Sequence, residues 1–195
     1  MFKRKKDITF LLIVVLLFFM LSVLFNEWLS ATMPRHQLIQ LPALFLLGII
    51  LGNYFSSLKM NDTSLGIGAL IFIMSSLIFW MLPHSIDYAV INKPFNRIMH
   101  WNMLFAGFLL RLVLRNMLFE IKILFLGMLS AMVLATGIAL KVFDILLCSS
   151  FDIYQQKETG LYLIIAGFVL FIITFLFFFK PEKAPNRNKL NISKI

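Results

Sequence analysis

The chain has few of the residues that build stapled domains, catalytic centres or soluble surfaces. Among its 195 residues is a single cysteine, so an internal disulfide and a zinc site of clustered thiolates are both excluded. Charged residues make up 14%, against about 25% in typical soluble domains. No G-x-S-x-G, H-E-x-x-H or phosphate-binding loop occurs, so the chain is not expected to be an enzyme.

Long apolar runs are what the sequence has in abundance, with 61% apolar residues and 22 phenylalanines. Runs of about 18 residues are long enough to cross a bilayer as helices. The sequence has six such runs, at 8–25, 38–55, 64–82, 98–114, 123–140 and 161–179. Because backbone polar groups in hydrocarbon must be satisfied internally, we expect an all-α, polytopic bundle of six transmembrane helices over 8–179. Basic tails at 1–7 and 180–195 flank it, and the second is expected to be disordered.

Positive charge is concentrated on one side of this topology. Segments 1–7, 56–63, 111–122 and 180–195 hold 13 of the 18 Lys and Arg residues but 4 of the 9 acidic ones. The positive-inside rule therefore predicts a cell (plasma) membrane protein with both termini in the cytoplasm. We interpret the basic tails as topology determinants that contact membrane lipids, with no nucleic-acid partner. Run 8–25 exceeds a signal-peptide core and is interpreted as a retained anchor.

Small residues and aromatic residues predict how the helices pack and where the membrane boundary lies. Gly48, Gly52 and Gly107 predict close helix contacts. Cys148 is expected outside, either as a plain small residue or as a reactive thiol. An aromatic belt at the outer boundary is predicted for Trp28, Trp80, Tyr88, Trp101 and Tyr154.

All three histidines, His36, His84 and His100, fall at predicted helix ends on the outer side. Imidazole is the commonest metal ligand, and an ionisable group near membrane depth is a functional candidate by default. Helical spacing also brings thioether, amide and carboxylate side chains to these faces. The residues concerned are Met33 and Gln40 beside His36, Met99 and Met103 beside His100, and Met81 and Asp87 beside His84.

Imidazole with thioether, and without clustered thiolates, favours copper over a hard cation. The candidate ligands are His36, His100, His84, Met81, Met33 and Met103. Asp87 and Gln40 are expected to orient those ligands from outside the coordination sphere. Haem held by His36 and His100 is an alternative, and so are capping, interfacial hydrogen bonding and proton buffering.

Four segments resemble the membrane assembly factor of caa-type cytochrome c oxidase, the CtaG family, and a set of small archaeal membrane proteins. They are M-P-R-H-Q-L-I-Q-L-P-A-L-F-L-L-G (33–48), W-M-L-P-H-S-I-D-Y-A-V (80–90), N-R-I-M-H-W-N-M-L-F-A-G-F-L-L (96–110) and Y-Q-Q-K-E-T-G-L-Y-L-I-I (154–165).

The resemblance implies a role in copper-centre formation in haem–copper oxidases. His36 and His100 match family histidines, and the other matching positions are Pro83, Gln155 and Gln156. The family often has histidine at the positions of Thr32, Met81 and Asn96 in this chain.

Three functions remain open at this point. The first is a copper-binding assembly or metallochaperone factor for a haem–copper oxidase, with oxidase subunits as partners. The second is a non-catalytic subunit or scaffold of a respiratory or copper-oxygenase complex, in which the histidines only tie segments together. A haem b-binding membrane protein is a third reading.

Overall fold

The structure is a computed structural model, which describes residues 2–55, 63–115, 117–143 and 146–179. These residues form helices and short connections with no strand among them, which confirms the all-α class. Two π-helical turns, Met20–Leu24 and His36–Gln40, interrupt the α-helices. The α-helices are α1 (Phe2–Phe19), α2 (Asn26–Ser30), α3 (Met33–Arg35), α4 (Leu41–Tyr54), α5 (Thr63–Met81), α6 (Pro83–Ile91), α7 (Lys93–Leu114), α8 (Phe119–Val142) and α9 (Ile153–Phe178).

Five helices are long and apolar enough to cross a membrane, so the chain is a multi-pass membrane protein. They are Met33–Tyr54, Ser64–Met81, Lys93–Leu114, Phe119–Val142 and Ile153–Phe178. The first expected span forms a shorter apolar helix, Ile8–Leu24, so the described part of the chain gives five such spans and the sixth stays a prediction. Helix α1 already begins within the expected N-terminal tail, whereas the tail at 180–195 lies outside the described residues.

Helices α4 and α7 pack so closely that glycine is required on both faces. A Cβ atom added at Gly48 would collide with the backbone oxygen of Leu104, and one added at Gly107 would collide with that of Phe45. Without a hydrophobic driving force between helices in lipid, such close backbone approach supplies much of the packing attraction. The predicted packing role of Gly48 and Gly107 is confirmed.

Helices α8 and α9 form a second tight pair. A Cβ atom at Gly137 would lie 2.8 Å from the backbone nitrogen of Ile164, and one at Gly160 would lie 2.8 Å from the oxygen of Gly137. Helix α5 packs on α7. Helix α9 contacts Met33–Arg35 and His36–Gln40, the segments that lead into α4. The bundle thus has two closely packed helix pairs with a seam between them.

One residue predicted for the aromatic belt, Trp80, lies in the core of the bundle. Trp80 is 3% exposed, and its Nε1 donates a hydrogen bond of 2.9 Å to Oδ1 of Asn102. Trp28 and Trp101 are more than half exposed, as residues at a membrane boundary would be. Trp80 is therefore a core residue that joins α5 to α7.

Candidate functional site

The candidate site begins at the π-helical turn His36–Gln40. The backbone N–H of Leu41 donates to the carbonyl of His36, five residues back instead of the α-helical four. Pro42 follows, and because proline has no N–H, the carbonyl four residues before it loses its ordinary donor. In the resulting wide turn, His36 and Gln40 are both fully buried.

The side-chain amide of Gln40 joins the rings of His36 and His100. Nδ1 of His36 donates to Oε1 of Gln40 at 2.7 Å, and Nε2 of Gln40 donates to Nε2 of His100 at 3.1 Å. Because both bonds end on one amide, these ring nitrogens lie within about 8 Å of each other. Imidazoles from two separate helices therefore meet inside the bundle.

The neighbours of Gln40 determine which way its amide points. Its Nε2 also lies 3.0 Å from the backbone carbonyl of Leu21 and 3.0 Å from Oδ1 of Asn26, so its two N–H groups are shared among three acceptors. A backbone carbonyl only accepts, so the amide nitrogen must face Leu21. Consequently His36 carries its ring proton on Nδ1, whereas His100 accepts at Nε2 and carries its proton on Nδ1.

Each ring keeps one nitrogen without a hydrogen-bond partner within the described chain. These atoms are Nε2 of His36 and Nδ1 of His100, in side chains that are at most 1% exposed. With the proton positions above, His36 presents a lone pair and His100 presents an N–H. Only a lone pair binds a metal ion directly, so the site offers one ready ligand and one that must first move its proton.

Two asparagines extend this network. Oδ1 of Asn26 accepts from Gln40 and, at 3.2 Å, from Nδ2 of Asn96 on α7. Asn96 is buried, with 4% of its side chain exposed. The sequence did not single out Asn26, because an asparagine just after an apolar run is typical of an ordinary helix boundary.

His84, expected as a third ligand, is exposed on α6 and takes no part in the hydrogen bonds of Gln40. The extended backbone of Leu82 (φ −66°, ψ 134°) separates α5 from α6. Met81, His84 and Asp87 are therefore not on one continuous helical face, as their spacing by three had suggested. The buried network contains two of the three histidines.

The methionine side chains of the candidate set pack in two separate apolar clusters. Met99 and Met103 are at most 2% exposed and pack with Trp80. Met33 is fully buried in another cluster, against which the half-buried Met81 packs. The four candidate methionines are thus divided between two clusters.

Asp87 binds a loop, whereas the sequence suggested that its carboxylate orients an imidazole. Its Oδ2 accepts from the backbone N–H of Ser149 at 2.6 Å and from the Ser149 hydroxyl at 3.0 Å. Its Oδ1 accepts from the backbone N–H of Ser150 at 2.9 Å. Both carboxylate oxygens are thus engaged in holding the segment before α9.

The glutamine pair of the family motif supports the same loop and links it to the site. Gln156 is buried, and its amide bonds Leu147 N–H at 3.0 Å and the carbonyls of Cys148 at 3.1 Å and Phe151 at 3.2 Å. Oε1 of Gln155 accepts from the backbone N–H of Met33 at 3.2 Å. Gln155 therefore connects α9 to the helix that carries His36.

Cys148 is a buried thiol outside the membrane-spanning helices. Its Sγ donates to the carbonyl of Pro83 at 3.6 Å. Burial, together with the charge of Asp87, raises the pKa of Cys148 to about 12. Thiolate is the form that binds metal and reacts with electrophiles, so this side chain is a structural residue at neutral pH.

Among the described residues, no three His, Cys, Asp or Glu side chains are grouped so that they could hold a metal ion. An ion at His36 and His100 would therefore need sulfur or amide donors to complete its coordination. No protein-family model, no curated protein and no solved structure matches the chain. The resemblance to the oxidase assembly factors rests on the four sequence segments alone.

Proposed function

We propose that this membrane protein binds copper at His36 and His100 and hands it over during maturation of a haem–copper oxidase. The observation that carries the proposal is the pair of buried imidazoles, each with one ring nitrogen that has no partner in the described part of the chain. Imidazole with thioether favours copper over calcium or magnesium. The sequence resemblance points to the same metal.

The donor set fits copper(I) with one rearrangement. Nε2 of His36 is the first donor, because its lone pair is already free of hydrogen bonds within the described residues. His100 becomes a donor when its proton moves from Nδ1 to Nε2 and Gln40 gives up its bond to that ring. Met103 lies three residues from His100 on one face of α7, is 2% exposed, and supplies a thioether.

The proposed setting is the plasma membrane, with six membrane helices and both termini in the cytoplasm. The charge bias of the connecting segments supports this orientation. The site then lies near the outer boundary, and the outward apolar faces of the helices contact lipid or oxidase subunits. Reporter fusions at each terminus test the orientation, and accessibility of the C-terminus from outside the cell would contradict it.

The direct test is a copper(I) titration of the purified chain in detergent, under reductant, against a chromophoric copper(I) competitor. We expect about one ion per chain for the wild type and none for the double variant His36→Ala/His100→Ala. His84→Ala is the matched control, since His84 is exposed and outside the network. Equal copper in the wild type and the double variant contradicts the proposal.

A scaffold subunit is the second candidate, and one observation favours it. Gln40 donates to the carbonyl of Leu21 and to Asn26, so the network ties the first apolar helix to α4 and α7. For this function the double variant loses thermal stability, the wild type binds no copper, and a stoichiometric membrane complex co-purifies. Copper binding by the isolated chain would decide against it.

Haem b has less support from the geometry. A bis-histidine haem needs both rings on one iron, whereas here an amide occupies the space between the hydrogen-bonded ring nitrogens. An absorption spectrum of the purified protein tests this reading, because bound haem would give a Soret band.

A further inference from the structure

A cavity of about 490 Å³ lies in the seam between the α8–α9 pair and the helices α4, α5 and α7. Its volume falls within the range of about 300–1,000 Å³ that is typical of small-ligand sites. The tight glycine contacts lie inside the two pairs, whereas the cavity lies between them. The buried part of the wall consists of Gln37, Leu41, Trp80, Met103, Val133 and Leu163.

Gln37 is the one polar side chain among the residues that line this cavity. It is 5% exposed, and neither its Oε1 nor its Nε2 has a hydrogen-bond partner within the described residues. A buried amide without partners is costly. Its position one turn into the span Met33–Tyr54 puts this donor and acceptor at one end of the cavity, with apolar wall beyond.

The cavity can be entered from the side of the bundle. Two residues of its lining, Pro42 on α4 and Val169 on α9, are exposed. Both belong to helices that are long and apolar enough to cross the membrane. The lining therefore reaches the outer side of the bundle, where a molecule dissolved in the bilayer would meet it.

We propose that this cavity binds an uncharged membrane amphiphile: a long apolar tail with a carbonyl or hydroxyl head group that pairs with the Gln37 amide. The amide both donates and accepts, so it satisfies either a carbonyl or a hydroxyl. None of the described residues that line the cavity is Lys, Arg, Asp or Glu, so a phosphate or ammonium head group would be buried there without a counter-charge from them. An isoprenoid quinone and a long-chain alcohol share the required chemistry.

Trp80 makes the proposal measurable, because it lines the cavity and is 3% exposed. The double variant Trp28→Phe/Trp101→Phe leaves Trp80 as the single tryptophan. This variant, in phosphatidylcholine nanodiscs, is titrated with a quinone that has a decyl tail and, separately, with a long-chain alcohol brominated along its tail. We expect saturable quenching of Trp80 fluorescence. The titration that saturates shows whether the cavity takes the quinone or the alcohol. A tail-brominated phosphatidylcholine is the control, and quenching by it to the same extent would overturn the proposal.

Two substitutions in that background test the assignment of the cavity. Gln37→Leu removes the amide, and we expect the apparent affinity to fall about three- to tenfold while the chain stays folded. Ala166→Phe fills the wall and should abolish saturation, whereas Ala131→Phe, at an exposed position on α8, should not. Unchanged affinity in Gln37→Leu, or no saturable quenching in the parent, would overturn the proposal.

Discussion

Gln40 donates a hydrogen bond of 3.1 Å to Nε2 of His100, and this bond determines which nitrogen of that ring remains for other partners. Because the same amide accepts from His36 at 2.7 Å, the two rings are held in complementary proton states. One presents a lone pair and the other presents an N–H. The amide thus limits how many imidazole ligands the site offers at once.

Changing Gln40 to glutamate should convert the pair into two ready ligands. A buried glutamic acid beside the Leu21 carbonyl keeps its proton and donates it to that carbonyl. His36 keeps its proton on Nδ1, whereas His100 no longer receives a hydrogen bond and can carry its proton on Nε2. Since copper then no longer has to break a hydrogen bond of about 1 kcal/mol, we expect copper(I) to bind roughly fivefold more tightly. The competitor titration measures this.

Gln37→Glu is the matched control for that experiment, since it makes the same substitution three residues earlier, at an amide that bonds neither imidazole. Its copper affinity should stay close to that of the wild type. Equal tightening in both variants would mean that an added carboxyl group, and not the proton states of the rings, governs binding.

Asp87→Ala should destabilise the fold without affecting copper. The substitution removes three hydrogen bonds to Ser149 and Ser150, and we expect a loss of about 2–4 kcal/mol in the free energy of unfolding. Asp152→Ala removes one bond, to the N–H of Gln155, and should cost about 1 kcal/mol. Thermal unfolding in detergent measures the loss of stability in each variant and shows which loss is larger. A large drop in copper affinity in Asp87→Ala would restore the role that the sequence first suggested.

Gly48→Ala should disrupt the contact between α4 and α7. Its Cβ would meet the backbone oxygen of Leu104, which cannot move aside as a side chain can, so we expect a loss of about 1–3 kcal/mol. Gly68→Ala and Gly127→Ala are matched controls, since nothing lies within 4 Å of either added Cβ. They should be neutral or stabilise by up to about 1 kcal/mol. Similar stabilities for all three variants would contradict the packing assignment.

The helices and the helix contacts could be predicted because their signals are local. Apolar length determines which segments can cross a membrane, and small residues such as Gly48, Gly52 and Gly107 mark faces where backbones can approach. The first span was harder, since the described apolar helix Ile8–Leu24 is shorter than the other five. From the sequence we inferred that the histidines lie on one side of the membrane. In the structure, His36 and His100 do meet at the Gln40 amide.

The arrangement inside the site could not be predicted, because it depends on tertiary contacts. His84 lies outside the buried network, since the extended Leu82 redirects the chain before α6. Spacing cannot show that Asn26 and Leu21 orient the amide of Gln40, because these partners come from different helices. Asp87 looked like a ligand-orienting carboxylate until its loop partners, 62 and 63 residues away, were placed.

The buried thiol predicts a loss of stability at alkaline pH. The pKa of Cys148 is about 12 in the folded chain against an ordinary 9.0, because burial and the charge of Asp87 disfavour the thiolate. Below pH 9 both states keep the proton, and the full contribution to stability is present. Between pH 9 and 12 only the unfolded chain ionises, so stability falls as pH rises, by up to about 1.4 kcal/mol per pH unit.

Cys148→Ser isolates this effect, because serine keeps a donor for the carbonyl of Pro83 but does not ionise in this range. We expect the difference in free energy of unfolding between the wild type and this variant to be constant below pH 9. Above pH 9 it should shift steadily in favour of the variant. A constant difference up to pH 11 would show that the thiol ionises as easily in the folded chain as in the unfolded one. Rapid alkylation of the native protein at pH 8 would lead to the same conclusion, because a pKa near 12 leaves only ~1 thiolate in 10,000 at that pH.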